Sequence, residues 1–361
     1  MIWLRRLSLL SLVALLSGCN LIVLNAPGDI ASQQGDLIVY ATVLMLIVIL
    51  PVMALTVFFA WKYRKGNDAA SYDPDWDHSI SLEIVVWSVP LAIIICLAGL
   101  TWVATHRLDP YQDLTRISAD KPLEEGVEPM QVQVVSMDWK WLFIYPEYDI
   151  ATVGEMAVIT DRPVEFKLTS AGVKNAFYIP AMAGMIYSMA GMETELNAVM
   201  NTSGTYNGIS ANYSGIGFSY MDFDVHSFDE EGFDAWVETV RTGAETTLDR
   251  TEYLLLERKT VDHPVTYYAG IEENLWDHIL NMCVGEDDLC INDMMMVDAL
   301  GGGGIAGLFN RELYRGICSA DDPGALFAIL RPDLQLREGE IISAMSLLPP
   351  ELPDLSVAPN N

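Results

Sequence analysis

Few side chains in this sequence could carry chemistry, and they are scattered. Cys19, Cys96, Cys283, Cys290 and Cys318 include no C-x-x-C pair, which excludes a zinc ribbon and a thioredoxin motif. His78, His106, His226, His263 and His278 show no pairing at ligand spacing and read as surface or boundary residues. Asp293-Met-Met-Met-Val297 offers thioethers to copper, as Cys283 and Cys290 offer sulfur, but methionine runs more often fill cores. The glycine run 301–304 belongs to no phosphate loop, since neither G-x-G-x-x-G nor G-x-x-x-x-G-K-[ST] occurs. Two residues have sharper settings. Leu16-Ser17-Gly18-Cys19 matches a lipobox, in which small residues fit a peptidase pocket and the thiol takes a diacylglyceryl group, with acyl chains such as palmitate. Glu83 is a carboxylate at the start of a long apolar run, where an ionisable group can gather protons from water. On its own it reads rather as a boundary residue reaching into the headgroups.

These residues must be positioned by membrane elements and by a domain beyond them. Residues 1–18 have Arg5 and Arg6 ahead of a short apolar stretch, the form of an export signal. Residues 37–61 and 84–104 carry no charge, and each is long enough, at about 1.5 Å per residue, to cross roughly 30 Å of hydrocarbon. Pro51 and Pro90 interrupt them, and Tyr40, Trp61, Trp87 and Trp102 lie toward their ends, where amphipathic rings favour the interface. Lys62, Arg64 and Lys65 come directly after the first run, so loop 62–83 is expected in the cytoplasm, with segment 19–36 and everything after about residue 105 in the periplasm. The lipobox requires the same orientation. Cys283, Cys290 and Cys318 then face an oxidising compartment, and one disulfide among them is expected without a choice of pair.

Beyond the second run, residues 128–226 read as strands. Val164, Phe166 and Leu168 alternate with Glu165 and Lys167, and turn residues separate the runs, which points to a β-sandwich. Residues 227–244 read as a packing helix: Ser227-Phe-Asp-Glu230 has capping-box form, and Phe233, Trp236, Val237 and Val240 share one face. Residues 245–361 read as a mostly helical or irregular extension. It has short helices near 275–282 and 323–330 and a Pro-rich, disordered end at 349–361. With 49 Asp+Glu against 20 Lys+Arg the net charge is −29, so nucleic acid is not an expected partner. The acidity fits a strongly hydrated surface or attraction to a basic protein.

The order of lipobox, two spans and sandwich resembles subunit II of the heme–copper oxidases, and four motifs sharpen the likeness. Ser136-Met-Asp-Trp-Lys-Trp-Leu-Phe-Ile-Tyr-Pro146 is similar to that family's aromatic segment. Ser188-Met-Ala-Gly-Met-Glu-Thr194 and Gly208-Ile-Ser-Ala-Asn-Tyr-Ser-Gly215 resemble its quinol-oxidase branch. Glu83-Ile-Val-Val-Trp-Ser-Val-Pro90 resembles the start of its second helix. The resemblance implies a membrane-anchored, all-β, cupredoxin-like fold and allows the copper positions of the cytochrome c oxidase branch to be placed. They fall on Asn175, Ser210, Asn212, Ser214, Phe218 and Met221, so only the methionine ligand is kept. Copper of that type needs two bridging thiolates and two imidazoles. No metal or other cofactor is therefore expected on this chain, and no cytochrome c partner.

By resemblance the chain is a non-redox subunit of a proton-pumping ubiquinol oxidase. Heme b, a high-spin heme (o-type, with an a-type variant open) and CuB belong to subunit I. Subunits III and IV and membrane lipid complete the partners, and Glu83 matches a glutamate at the entrance of the K-type proton channel. Trp139, which matches the aromatic that admits electrons in the copper-bearing branch, reads as a packing residue. Two other readings stand beside this one: a subunit that takes electrons from cytochrome c on its acidic face, and a stand-alone lipoprotein that chaperones copper or assembles other complexes. The lost ligands oppose the first. The two spans and Glu83 oppose the second.

Overall fold

The computed structural model describes residues 21–67, 75, 77–124, 126–285 and 288–299. Cys19 and Cys318, segment 1–18, the glycine run and the stretches 323–330 and 349–361 lie outside them. Helices α1 (Asp29–Lys62) and α2 (Ile80–Arg107) are long and apolar enough to cross a membrane. Their apolar side chains are exposed along most of both helices, as lipid-facing residues must be. Each helix overruns its uncharged run. α1 starts at Asp29 because Ala31, Gln33 and Gln34 favour helix and Asp29 complements the positive end of the helix dipole.

The start of α1 is fastened to segments far along the chain. Gly28 forms a β-bridge with Met200, its N–H donates to the Ala181 carbonyl (2.9 Å), and Ala31 N–H donates to the Met182 carbonyl (3.3 Å). A Cβ at Gly28 would stand 2.7 Å from the Met182 carbonyl oxygen, so only glycine fits this crossing. Asp29, almost fully buried, accepts two hydrogen bonds from the Arg116 guanidinium (2.9 and 3.0 Å) and one from Gln33 (2.8 Å). Arg116 opens β1 (Arg116–Ser118), which pairs with β2 (Lys121–Pro122) just after α2. The paired charges thus tie the top of one span to the exit of the other.

The sandwich uses β3 (Met130–Met137), β4 (Lys140–Tyr145), β5 (Ile150–Val153), β6 (Glu155–Ile159), β7 (Pro163–Ser170), β8 (Asn175–Tyr178), β9 (Ile186–Ser188), β10 (Thr194–Val199), β11 (Gly204–Ser210) and β12 (Phe223–Phe228). In β7 the alternation holds: Val164, Phe166 and Leu168 are buried, while Glu165 and Lys167 are partly exposed. One sheet runs β10-β7-β3-β4-β5 and the other β6-β12-β11-β8-β9. An aromatic cluster fills the space between them: Trp141, Phe143, Phe166, Phe177 and Phe223, with ring centroids 5.1–6.4 Å apart.

Helix α3 (Glu230–Gly243) packs on the sandwich through Phe233, Trp236, Val237 and Val240, all buried. Its cap is Asp229, whose carboxylate accepts the Gly232 N–H (2.9 Å), and not Ser227 as the capping-box pattern implies. Ser227 is buried at the end of β12 and bonded to Thr160 Oγ1 (2.9 Å), so the strand has already claimed it.

The chain then returns to the first sheet. β13 (Thr246–Leu248), α4 (Arg250–Leu256) and β14 (Thr266–Ile271) come next, with β14 antiparallel to β5 and β13 at the sheet's edge. Sequence reading missed these two strands. Glu155 on β6 gathers this region. It accepts hydrogen bonds from Trp236 (3.2 Å) and Tyr267 (2.8 Å) and lies 3.8 Å from His226. Burial, and then the bond to Glu155, push the Tyr267 hydroxyl up to about 12.

From Glu273 the chain forms a second compact unit, in which α5 (Leu275–Leu280) and α6 (Ile291–Ala299) flank a Cys283–Cys290 disulfide. That is one of the pairings left open by the sequence.

Candidate functional site

The positions matched to copper ligands come together at one end of the sandwich. Asn175 begins β8 and is buried between β9 and the last residues of β11. The ladder continues past β11, where Ala211 N–H donates to the Ala176 carbonyl (2.9 Å), and this brings Ser210 against Asn175. The Ser210 hydroxyl divides its proton between Asn175 Oδ1 (3.5 Å) and the Asn212 carbonyl (3.3 Å). Asn212 turns its amide outward to the Lys174 carbonyl (3.1 Å). Loop 211–222 then folds back through a 3₁₀ turn, Phe218–Tyr220, which returns Met221 to the core. Ser214 Oγ donates to Met221 Sδ (3.5 Å), and Trp141 Nε1 donates to the Met221 carbonyl (3.2 Å). Phe218 packs edge-on against Tyr213, with centroids 5.6 Å apart.

Trp139 closes this loop from outside. It occupies the two-residue turn between β3 and β4 with φ of 68°, a conformation that costs a bulky residue on the order of 1–3 kcal/mol. The indole offsets that cost by donating Nε1–H to the Ser214 carbonyl (3.1 Å) and lying flat on Gly217, where any Cβ would collide with the ring. Tyr213, Ile216 and Tyr220 are exposed around it.

Lys140, between the two tryptophans, is buried and donates to the Arg258 carbonyl (2.8 Å) and Thr260 Oγ1 (2.6 Å). Burial lowers its pKa, against the pull of Asp138 and Glu257, and burial together with Lys140 lowers that of His263.

The chemistry of this cluster derives from its donors. They are hydroxyls, amides and carbonyls, one phenyl ring and a single thioether; the serine protons are spent within the cluster and the amide protons of Asn175 and Asn212 on the Val173 and Lys174 carbonyls. Hard neutral oxygens of this kind cannot replace bridging thiolates between two soft metal ions.

The second unit holds the one other grouping of metal-ligand types among the described residues: His278, Cys283 and Cys290, with ligand atoms within 4.8 Å of one another. Both sulfurs are joined in the disulfide, and neither is a thiolate. The remaining histidines lie apart: His106 against the Trp102 carbonyl, His78 beside Asp77, His226 near Thr205 and Glu155, His263 beside Thr260. Met294 and Met295 on α6 are exposed, and Cys96 is an exposed free thiol on α2. Glu83 lies in the first turn of α2, exposed, where the helix dipole favours a carboxylate.

Comparison with known proteins adds one segment that sequence reading left unmatched. Residues 244–287 match the COX Aromatic Rich Motif. Tyr253, Tyr267, Tyr268 and Trp276 were the signal for it. Over 271 residues the chain is 47% identical to a protein of Pseudomonas putida named cytochrome bo(3) ubiquinol oxidase subunit 2, a match covering 75% of this chain and 83% of that one. It is 43% identical over 275 residues to ubiquinol oxidase subunit 2 of Acetobacter aceti, covering 76% and 87%. Among solved structures, the periplasmic domain of subunit II of cytochrome oxidase (CoxB) of Bradyrhizobium japonicum is similar with a TM-score of 0.30 at 21% identity, over 30% of this chain and 91% of that one.

Proposed function

The chain belongs to the ubiquinol oxidase subunit 2 family, and from that membership we propose that it is the copper-free second subunit of a proton-pumping complex that oxidises ubiquinol and reduces dioxygen to water. One observation carries the proposal. The positions matched to copper ligands hold Asn175, Ser210, Asn212, Ser214, Phe218 and Met221, and their polar groups are engaged with each other and with the adjoining Val173 and Lys174 carbonyls. Electrons then pass from ubiquinol to heme b in subunit I without this chain. The high-spin heme and CuB, also in subunit I, carry out oxygen reduction. The chain's own work is structural: it covers subunit I, with subunits III and IV as further partners. Its cupredoxin-like sandwich and Cys19 lie in the periplasm, the lipid on Cys19 adds a second anchor, and loop 62–83 is cytoplasmic.

Metal analysis tests the proposal directly. The full chain, purified, exposed to excess copper and desalted, should retain none and show no thiolate-to-copper absorption. Two bound copper ions per chain would overturn it.

Glu83 is proposed to stand at the entrance of the K-type proton channel of subunit I. Its exposure on the first turn of α2 leaves the carboxylate free to meet both water and a neighbouring subunit. Glu83→Ala should slow turnover about tenfold, a barrier increase of roughly 1.4 kcal/mol, with the heme spectrum and co-purification unchanged. Wild-type turnover in that variant would remove the channel role.

A further inference from the structure

The joint between the spans and the sandwich encloses a cavity of about 380 Å³. Its inner wall is the Asp29–Arg116 ion pair with Gln33 and Gln34; its rim carries Arg107, Asp109 and Asp113. Arg107, the last residue of α2, is exposed and makes no hydrogen bond or ion pair among the described residues. A guanidinium at the membrane boundary is an anion-binding fork awaiting a phosphate or carboxylate. The carboxylates of Asp109 and Asp113 line the same cavity and suit a cation beside that anion.

This polar cavity opens into an apolar slot. A second hollow shares Gln33, Arg107 and Arg116 with it and adds Asp36 and Tyr40 at its polar end beside Leu37, Leu100 and Ala104. A third, between α1 and α2, keeps Leu37, Leu100 and Ala104 and adds Ala41 and Leu97. The lining therefore passes from paired charges to methyl groups along the two spans, starting at the end that meets the sandwich. A molecule that fits has joined positive and negative charges in its head and a hydrocarbon tail. A quinol has the tail but no charge to match, and a free phosphate has no tail.

We propose that this joint binds one zwitterionic phospholipid of the phosphatidylethanolamine class. Its phosphate is held by Arg107, its ammonium lies toward Asp109 and Asp113, and one acyl chain lies in the slot past Ala104. The proposal rests on α1 and α2 being membrane spans, and it is independent of whether copper binds. Its readout is lipid mass, so its failure is distinct from failure of the oxidase reading.

The test is native mass spectrometry of the intact complex, released from nanodiscs holding equal phosphatidylethanolamine and phosphatidylglycerol. The wild-type complex should keep one more phosphatidylethanolamine than Arg107→Gln and than Ala104→Phe, which fills the slot without touching a charge. Asp113→Asn should reduce the preference for phosphatidylethanolamine over phosphatidylglycerol severalfold. Equal lipid counts in wild type and Arg107→Gln would overturn the proposal. So would a quinone as the molecule lost on substitution, or equal retention of the two lipids by wild type.

Discussion

Oxygen uptake by the complex that carries this chain should run on a reduced quinol and fall by at least about a hundredfold when reduced cytochrome c is the only donor, a barrier difference of roughly 2.7 kcal/mol. A protein donor docking on the outer face needs a redox centre beneath its landing site. Here the space beneath Trp139 holds Ser210, Ser214, Asn175 and one thioether, joined by hydrogen bonds, none of which can change oxidation state by one electron at respiratory potentials. The ring of Trp139 is occupied as well: its N–H is bonded to Ser214 and its face covers Gly217. A small lipid-soluble donor does not need this route. The assay is oxygen consumption by the detergent-solubilised complex with each donor in turn, and comparable rates with both would show that electrons cross a domain without copper ligands.

Trp141→Ala should destabilise the chain by about 3–5 kcal/mol. The indole is buried at 1% exposure, meets Phe177 and Phe223 at 5.4 and 6.0 Å, and donates its N–H to the Met221 carbonyl. Truncation opens a cavity between the two sheets and leaves that carbonyl unsatisfied. At about 2–4 °C per kcal/mol for a domain of this size, the melting temperature should fall by roughly 6–20 °C. The neighbouring Trp139→Ala should cost less, because its ring is only partly buried and lies outside the aromatic cluster between the sheets, while the strain of the turn stays with alanine's Cβ. Thermal unfolding of the purified chains compares the two. A shift for Trp141→Ala no greater than for Trp139→Ala would mean the aromatic cluster is not the centre of the core.

The parts of the fold that were legible in sequence share a cause: a side-chain period that nothing else in the structure overrides. The two spans are uncharged runs, β7 alternates, and α3 repeats on a helical period, so each could be read locally. The edge strands β13 and β14 could not. Thr246–Leu248 is three residues, and β14 carries partly exposed residues at most positions, so neither leaves a period. What holds β14 is its pairing with β5, distant in sequence, together with the Tyr267–Glu155 bond. The cap of α3 was misread because two acceptable caps lie two residues apart, and β12 determines which one is free.

The site divides in the same way. Resemblance marks which residues stand where copper ligands would, but the hydrogen bonds that engage them belong to the folded chain alone. The Asp29–Arg116 pair, which forms the inner wall of the polar cavity, joins residues 87 positions apart and had no sequence signal at all.

The fastening at Gly28 also has a mechanical consequence. α1 passes from the bilayer into the sandwich with no flexible linker, since Gly28 is bridged to Met200 and Asp29 is clamped by Arg116. The sandwich therefore moves as a stiff extension of the helix. A bilayer thinner than the helix's apolar length makes the helix lean, and a lean of about 10° carries a point ~30 Å along the axis sideways by roughly 5 Å. The domain acts as a lever whose angle is set by membrane thickness, so its fit over a neighbouring subunit depends on the lipid composition around the spans.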